Sequence, residues 1–365
     1  MVSFLKKAPF VLVVFALLFV FTFISEASDA QPFYNKLSIG LEGGGVYQFR
    51  KAYKLIQHQD EVNAPATIGG PLDHDVSGWG GFGKLIFGYP VNEKSTIQLS
   101  ISGLDIGTKK SSQISGGTGP GGNPTNTTLL PFLDGSTFSN QQAVEIGGDK
   151  TNANAQANLG FDYRTTEADV QLDLVRAMGQ RKNWDTKGIL GLAYAYFDQD
   201  TSFATDGIDF DNSAPTHTQT KETLQDNLIG LKGGIKGIRD FNKALLLDCS
   251  LNVIFYYRMT NFKAEQNFVN ASLPFTGSPA NRNIGIGDSE NNFVPRLQFR
   301  LGLIEKSTKR YGFEIFYAFD SWWNMTTVNN PTVRYTGTAD VIDHPARISH
   351  GDCVCQHYVG LKLTW

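Results

Sequence analysis

Single charges recur inside alternating apolar stretches, and this is where the sequence places groups that could do chemistry. Glu42, Lys84, Asp169, Asp173, Lys232, Lys236, Asp248, Arg296, Arg300, Glu314 and Lys362 each sit one position away from a residue of an apolar series. In an extended chain, alternate side chains point to opposite faces, so these charges share the face that the aliphatic and aromatic residues leave. Their sign changes at nearly every step from one stretch to the next. Strands about 4.8 Å apart could pair such charges across a wall. They would either neutralise one another in a closed interior or line a narrow aqueous passage with weak ion preference.

Two other groupings carry chemistry-bearing residue types. His350, Cys353, Cys355 and His357 look like a metal cluster in one dimension. On a strand, however, Cys353, Cys355 and His357 stand roughly 6.6 Å apart and cannot converge on one tetrahedral ion, so no metal site is expected. Cys353 and Cys355 are instead candidate disulfide formers, including between chains, because an i to i+2 bridge strains a strand. Asp198 and Asp200, Asp73-His74-Asp75 and Asp343-His344 could form an acid and histidine site at a barrel rim, as in ten-stranded omptin proteases. Their spacings match no hydrolytic motif, acidic loop residues are usually solvated surface, and no enzyme and no cofactor are expected.

The elements that must position these residues are strands. Ten stretches alternate over about nine to eleven positions, the length of a tilted membrane strand. Leu37/Ile39/Leu41, Leu85/Phe87/Tyr89, Ile97/Leu99/Ile101 and Ala168/Val170/Leu172/Leu174 open the series. Leu190 to Tyr196, Ile229 to Ile235, Leu245 to Tyr257, Phe293 to Leu303, Tyr311 to Phe319 and Val359 to Trp365 complete it. Connections near 90–95, 178–186, 239–243 and 305–309 are short. Those near 50–76, 108–157, 200–223, 259–290 and 325–352 are long and rich in Gly, Asn, Thr and Ser. This alternation of short and long is that of an antiparallel up-and-down transmembrane β-barrel with short periplasmic turns and long extracellular loops. Twelve strands is the alternative, because Leu129-Leu130-Pro131-Phe132-Leu133 and Ala143-Val144-Glu145-Ile146 could add a hairpin or fold inward.

Met1 to Lys7 is charged, Phe10 to Ile24 is apolar, and small residues allow cleavage after Ala27 or Ala30. Residues 1–30 therefore read as a signal peptide, followed by one barrel over 31–365. An uncleaved anchor is the rival reading, but the apolar run falls short of the roughly 20 residues a span needs. Among 365 residues the formal net charge is -3 and 18% are charged, and no basic patch suggests a nucleic-acid partner. Trp79, Trp184, Trp322, Trp323 and Trp365 fall at expected strand ends and read as two aromatic girdles, joined on the outer side by Tyr163 and others.

Asp169-Val170-Gln171-Leu172-Asp173-Leu174, Gly191-Leu192-Ala193-Tyr194-Ala195-Tyr196-Phe197-Asp198, Ile229-Gly230-Leu231-Lys232-Gly233-Gly234 and the closing Tyr358 to Trp365 resemble strands of the Legionella-type major outer-membrane-protein family. The resemblance spans most of residues 157–365 and brings no catalytic signature. It implies a porin-like, pore-forming barrel in the bacterial outer membrane, delivered to the barrel-assembly machinery by its aromatic terminal strand. The expected function is a narrow diffusion pore for ions or small solutes, in contact with outer-membrane lipid and open to homo-oligomer formation. The alternative is a non-conducting barrel whose extracellular loops bind surfaces or host ligands, and an outer-membrane hydrolase stands behind both.

Overall fold

In the computed structural model, the described residues are 37–51, 53–60, 67–74, 76–115, 127–131, 143–147, 156–181, 183–209, 214–270, 281–306, 312–330, 333–335, 340–342 and 345–365. The expected signal peptide lies outside them. Sixteen strands follow in chain order. They are β1 (Ser38–Arg50), β2 (Tyr53–Asp60), β3 (Thr67–His74), β4 (Gly78–Asn92), β5 (Ser95–Ser115), β6 (Thr127–Pro131), β7 (Ala143–Gly147) and β8 (Gln156–Arg181). Then come β9 (Trp184–Asp209), β10 (Ala214–Asp240), β11 (Leu245–Asn270), β12 (Asn281–Glu305), β13 (Gly312–Asn329), β14 (Val333–Tyr335), β15 (Asp340–Ile342) and β16 (Arg347–Thr364).

Ten of these form the wall in the order β10-β11-β12-β13-β16-β1-β4-β5-β8-β9, and β9 pairs back onto β10 to close the ring. Every pairing is antiparallel. The ten expected stretches fall in ten different wall strands, with Leu37 and Trp365 flanking theirs and Tyr311 outside the described residues, and the short connections near 90–95, 178–186 and 239–243 fall where the sequence places them. No described helix is long and apolar enough to cross a membrane. The residues suspected of widening the ring do form a hairpin, β6–β7, but outside it. β7 joins β9 only at Gly147 and Ile208, and β6 hands on to β2 and β3, so the hairpin extends the sheet beyond the wall.

Two expected long loops are largely strand. β9 and β10 stay paired from Trp184 and Arg239 out to Asp209 and Ala214, and β11 and β12 from Leu245 and Glu305 to Val269 and Asn281. Strands this long reach roughly 85 Å along the chain at about 3.3 Å per residue. A tilt of about 45° leaves some 60 Å of height, against an apolar band of about 25 Å.

The reason lies in a change of solvent along each strand. On β11 the outward series runs Cys249, Leu251, Val253, Phe255, Tyr257, Met259 and then Asn261, Lys263, Glu265, Asn267. On β10 it runs Ile235, Leu231, Ile229 and then Gln225, Lys221, Gln219, His217. The inward series inverts in step. Beside the apolar band it is polar, whereas further out it becomes a core of Leu159, Phe161, Tyr163, Phe203, Leu224, Phe262, Ala264, Ile284, Val328 and Ile348. The lower barrel is built for lipid outside, and the upper barrel is built like a soluble protein. Among the water-facing charges there, Arg164 donates two 2.8 Å hydrogen bonds to Asp105 and holds its carboxyl below the usual range.

The girdle reading needs rings on the outer face at the height of the interfaces; Trp79 and Trp184 stand at the starts of β4 and β9, Trp323 lies on β13 and Trp365 follows β16. Trp79 is 72% exposed beside Tyr47, Trp323 is 41% exposed, and Trp365 closes the short-turn end by exchanging two 2.9 Å backbone hydrogen bonds with Ile39. It fails for Trp322 and Tyr163, which point into the barrel and are essentially unexposed. Face, not height along the strand, decides this. Phe313, Ile315, Tyr317 and Phe319 face outward, so Trp323 must follow them and Trp322 cannot. Just beyond, Asn324 has φ 60° and the β13–β16 register shifts, a bulge that brings Met325 and Thr326 inside.

The polarity change along β10 predicts unequal responses to one substitution. Leu231→Arg, in the lipid belt, should destabilise the barrel by about 2–4 kcal/mol. Gln219→Arg, beyond it, should leave stability close to wild type. Urea unfolding from lipid vesicles measures both, and equal losses would contradict the two-solvent reading.

Candidate functional site: a bridged and half-filled lumen

The candidate site is the interior beside the lipid belt. All eleven charged residues singled out from the sequence point into it. Glu42, Lys84, Asp169, Asp173, Lys232, Lys236, Arg296, Arg300 and Lys362 line one cavity of about 480 Å3. Glu314 and Asp248 are buried behind Arg300 and Lys236. The cavity lies toward the short-turn end, where Ser38, Gly88, Thr96, Lys187 and Thr364 form its rim.

Above the rim the charges pair in tiers. Lys236 Nζ donates to Asp248 at 2.6 Å, and Lys232 Nζ donates to Asp173 and Gln171, each at 2.6 Å. Arg300 forks between Glu314, at 2.8 and 3.0 Å, and Glu42, at 2.9 Å, with its guanidinium 3.7 Å from the centroid of the Phe316 ring. Lys362 lies 3.7 Å from each of the same two carboxylates. Deeper still, Arg296 donates to Asp169 and Asp320, lies 3.5 Å from Glu167, and rests 3.8 Å over the Trp322 ring. A guanidinium suits this position because it keeps its charge and offers a planar fork with a face that can stack.

Several of these contacts cross the lumen instead of running along the wall. Arg296 on β12 reaches Asp169 on β8, Gln356 on β16 donates to Glu167 on β8 at 3.1 Å, and Phe197 on β9 meets Trp322 on β13 at 4.8 Å. Trp322 also stacks on Tyr256 at 5.4 Å and donates to Gln356 at 3.3 Å. Ala195, Leu228, Ile254, Tyr256, Val294, Trp322 and Met325 are unexposed, with Val46 and Ile106 sealing the β1 and β5 side. A second polar tier caps this layer. Arg50 donates to Asp352, to Tyr163 at 2.8 Å and to Gln199, while Thr260 donates to Asp226.

Glu167, Asp320, Trp322, Gln356 and Arg50 belong to the network but not to the charges singled out from the sequence. Glu167 and Asp320 share the inward face of Asp169 and Glu314, so strict alternation already marks them. Arg50 falls where an outer loop was expected to begin.

Cys249, Cys353 and Cys355 are all free thiols. Cys353 and Cys355 face outward with their sulfurs 3.7 Å apart, both near the Ser321 hydroxyl, and form no bond to each other within the chain. A strand holds i and i+2 side chains parallel, which keeps the sulfurs beyond bonding distance. Asp198 and Asp200 lie on the outer surface of β9, accepting hydrogen bonds from Gln225 and Thr223. Asp75, Asp343 and His344 lie outside the described residues. No group of three or more metal-ligating side chains occurs among the described residues.

No protein-family model and no curated protein matches this sequence. Among solved structures, the outer membrane protease OmpT from Escherichia coli is 9% identical, with 91% of this chain and 97% of that chain covered and a TM-score of 0.40. A FadL homologue of Pseudomonas aeruginosa is 8% identical, covers 91% and 90%, and has a TM-score of 0.23. An anion-selective porin from Comamonas acidovorans is 10% identical, covers 90% and 98%, and has a TM-score of 0.16. Likenesses this distant carry no activity across. The closed ring and its apolar outer band define the fold, an antiparallel up-and-down transmembrane β-barrel.

The Arg296 tier yields a stability prediction. Arg296→Leu leaves Glu167, Asp169 and Asp320 buried together without their shared cation and should cost about 3–5 kcal/mol. Arg164→Leu, on the exposed outer pair, should leave the unfolding midpoint near wild type. Thermal unfolding of both variants in detergent, followed by heat-modifiable gel mobility, distinguishes them.

Proposed function

We propose that the protein is a non-conducting outer-membrane barrel whose tall extracellular wall presents a rigid surface to the cell's surroundings, without enzymatic chemistry. The observation that carries this reading is the bridged lumen. Side chains from opposite walls touch between the cavity and the upper core, and the layer between them is dry. Ten strands enclose little more than side-chain volume, so a few large residues suffice to fill the section. The upper half supports display: its outward face is polar, its interior is a hydrophobic core, and the β2, β3, β6 and β7 strands extend its sheet.

A narrow pore for ions or small solutes is the second reading, and the cavity favours it. A solute entering from the short-turn end already has a polar path to the Arg296 tier, beyond which stand the Trp322 layer, the Arg50 tier and the upper core. The resemblance to pore-forming outer-membrane proteins points the same way.

Planar-bilayer recordings on refolded protein separate the two. Flat traces are expected from the wild type and also from Trp322→Ala combined with Phe197→Ala, because the Arg50 tier and the upper core still close the section above. Steady single-channel steps from correctly folded wild type would overturn the non-conducting reading in favour of the pore.

A further inference from the structure

The lumen's cations and carboxylates balance as a whole but are unevenly spread along its axis. Around Arg296, one guanidinium serves three carboxylates. Toward the rim the balance reverses. Lys84 and Lys187 line the cavity with no ion-pair partner among the described residues, and Lys362 is held only at 3.7 Å by carboxylates that Arg300 already occupies. Lys84 and Lys232, and Lys236 and Lys362, reach the same cavity from different strands. These ammonium groups come from β4, β9, β10 and β16, on different sides of the ring, and converge on a single space of about 480 Å3.

Bringing like charges together in a confined space costs free energy unless a counter-charge is bound there. Lys84 stands opposite Glu42 in the β1–β4 ladder, but both oxygens of that carboxylate already accept from Arg300, and Lys187 stands opposite another cation, Lys236. Hydroxyl and amide groups of Ser38, Thr96, Gln98 and Ser102 line the same cavity and can donate to an anion.

We propose that the lysine-lined cavity at the short-turn end is a binding site for a small oxyanion, a phosphate or a carboxylate-bearing solute, admitted from the periplasmic side. Lys84 and Lys187 are its principal counter-charges, with Lys362 and Lys236 completing the ring. The acidic tier around Arg296 sets the inner limit, because an anion pushed further meets Glu167, Asp169 and Asp320. The site does not depend on whether the barrel conducts, since a blind cavity and a pore mouth bind an anion equally well.

Isothermal titration calorimetry on the full refolded barrel in detergent, at low salt, tests this with inorganic phosphate in one arm and succinate in the other. Saturable binding is expected in at least one arm, and the arm that saturates identifies the source of the oxyanion. Binding should weaken by about tenfold for each of Lys84→Gln and Lys187→Gln, since each removes a charge-assisted hydrogen bond. The control Lys263→Gln, on the outer surface, should bind as wild type. Because Glu42 keeps its bonds to Arg300 when Lys84 is neutralised, and Lys187 makes no ion pair among the described residues, both variants should keep the heat-modifiable mobility of the folded barrel. Absence of saturation in both arms, or binding that survives the Lys84→Gln/Lys187→Gln double variant, overturns the proposal. Tighter binding of the polycation spermidine than of either anion would overturn it too.

Discussion

The structure depends on a backbone constraint. In hydrocarbon no water can satisfy a free N–H or C=O, so an open sheet edge at membrane depth is excluded. The ladders between β9 and β10 and between β1 and β16 remove the edges that would otherwise remain. Once the ring is closed, every wall strand has one face outside and one inside, and the period of two in the sequence acquires its meaning. Close backbone approach at this closure is visible at Gly44, where an added Cβ would fall 2.1 Å from the Val359 carbonyl oxygen.

Closure creates the second problem, an interior too narrow for bulk water and lined by charge. Buried ions are tolerated only when paired and hydrogen-bonded, and the lumen meets this with arginines that reach across it. Arg300 and Arg296 each gather carboxylates from different walls and lie on an aromatic ring. The same contacts that satisfy the charges also fasten opposite sides of the barrel. Pairing and occlusion are therefore one arrangement, and a change that opens the lumen must first find other partners for Arg296.

Much of this was legible in the sequence, for a physical reason. Where lipid meets one face and water or polar groups the other, residues such as Leu231 against Lys232, or Leu172 against Asp173, must alternate. The ring of ten and the inward set of charges follow. The upper wall was not legible, because the contrast there is between Thr220 inside and Lys221 outside, which reads as loop composition although the ladder continues. Trp322 was misplaced for a different reason. Its height on β13 suits a girdle, while its neighbours Tyr317 and Phe319 already assign the outer face to odd-numbered positions.

The β1–β16 ladder has a consequence for how the chain reaches this state. Gly40 pairs with Thr364 and Gln48 with Gln356, so the seam is made from opposite extremities of the polypeptide. Local hairpins such as β10–β11 can zip early, but this seam must wait until nearly the whole chain is available, and loop-closure entropy makes such long-range pairing slow. During that interval the lipid-facing rows of Leu, Ile and Phe have no hydrocarbon to enter.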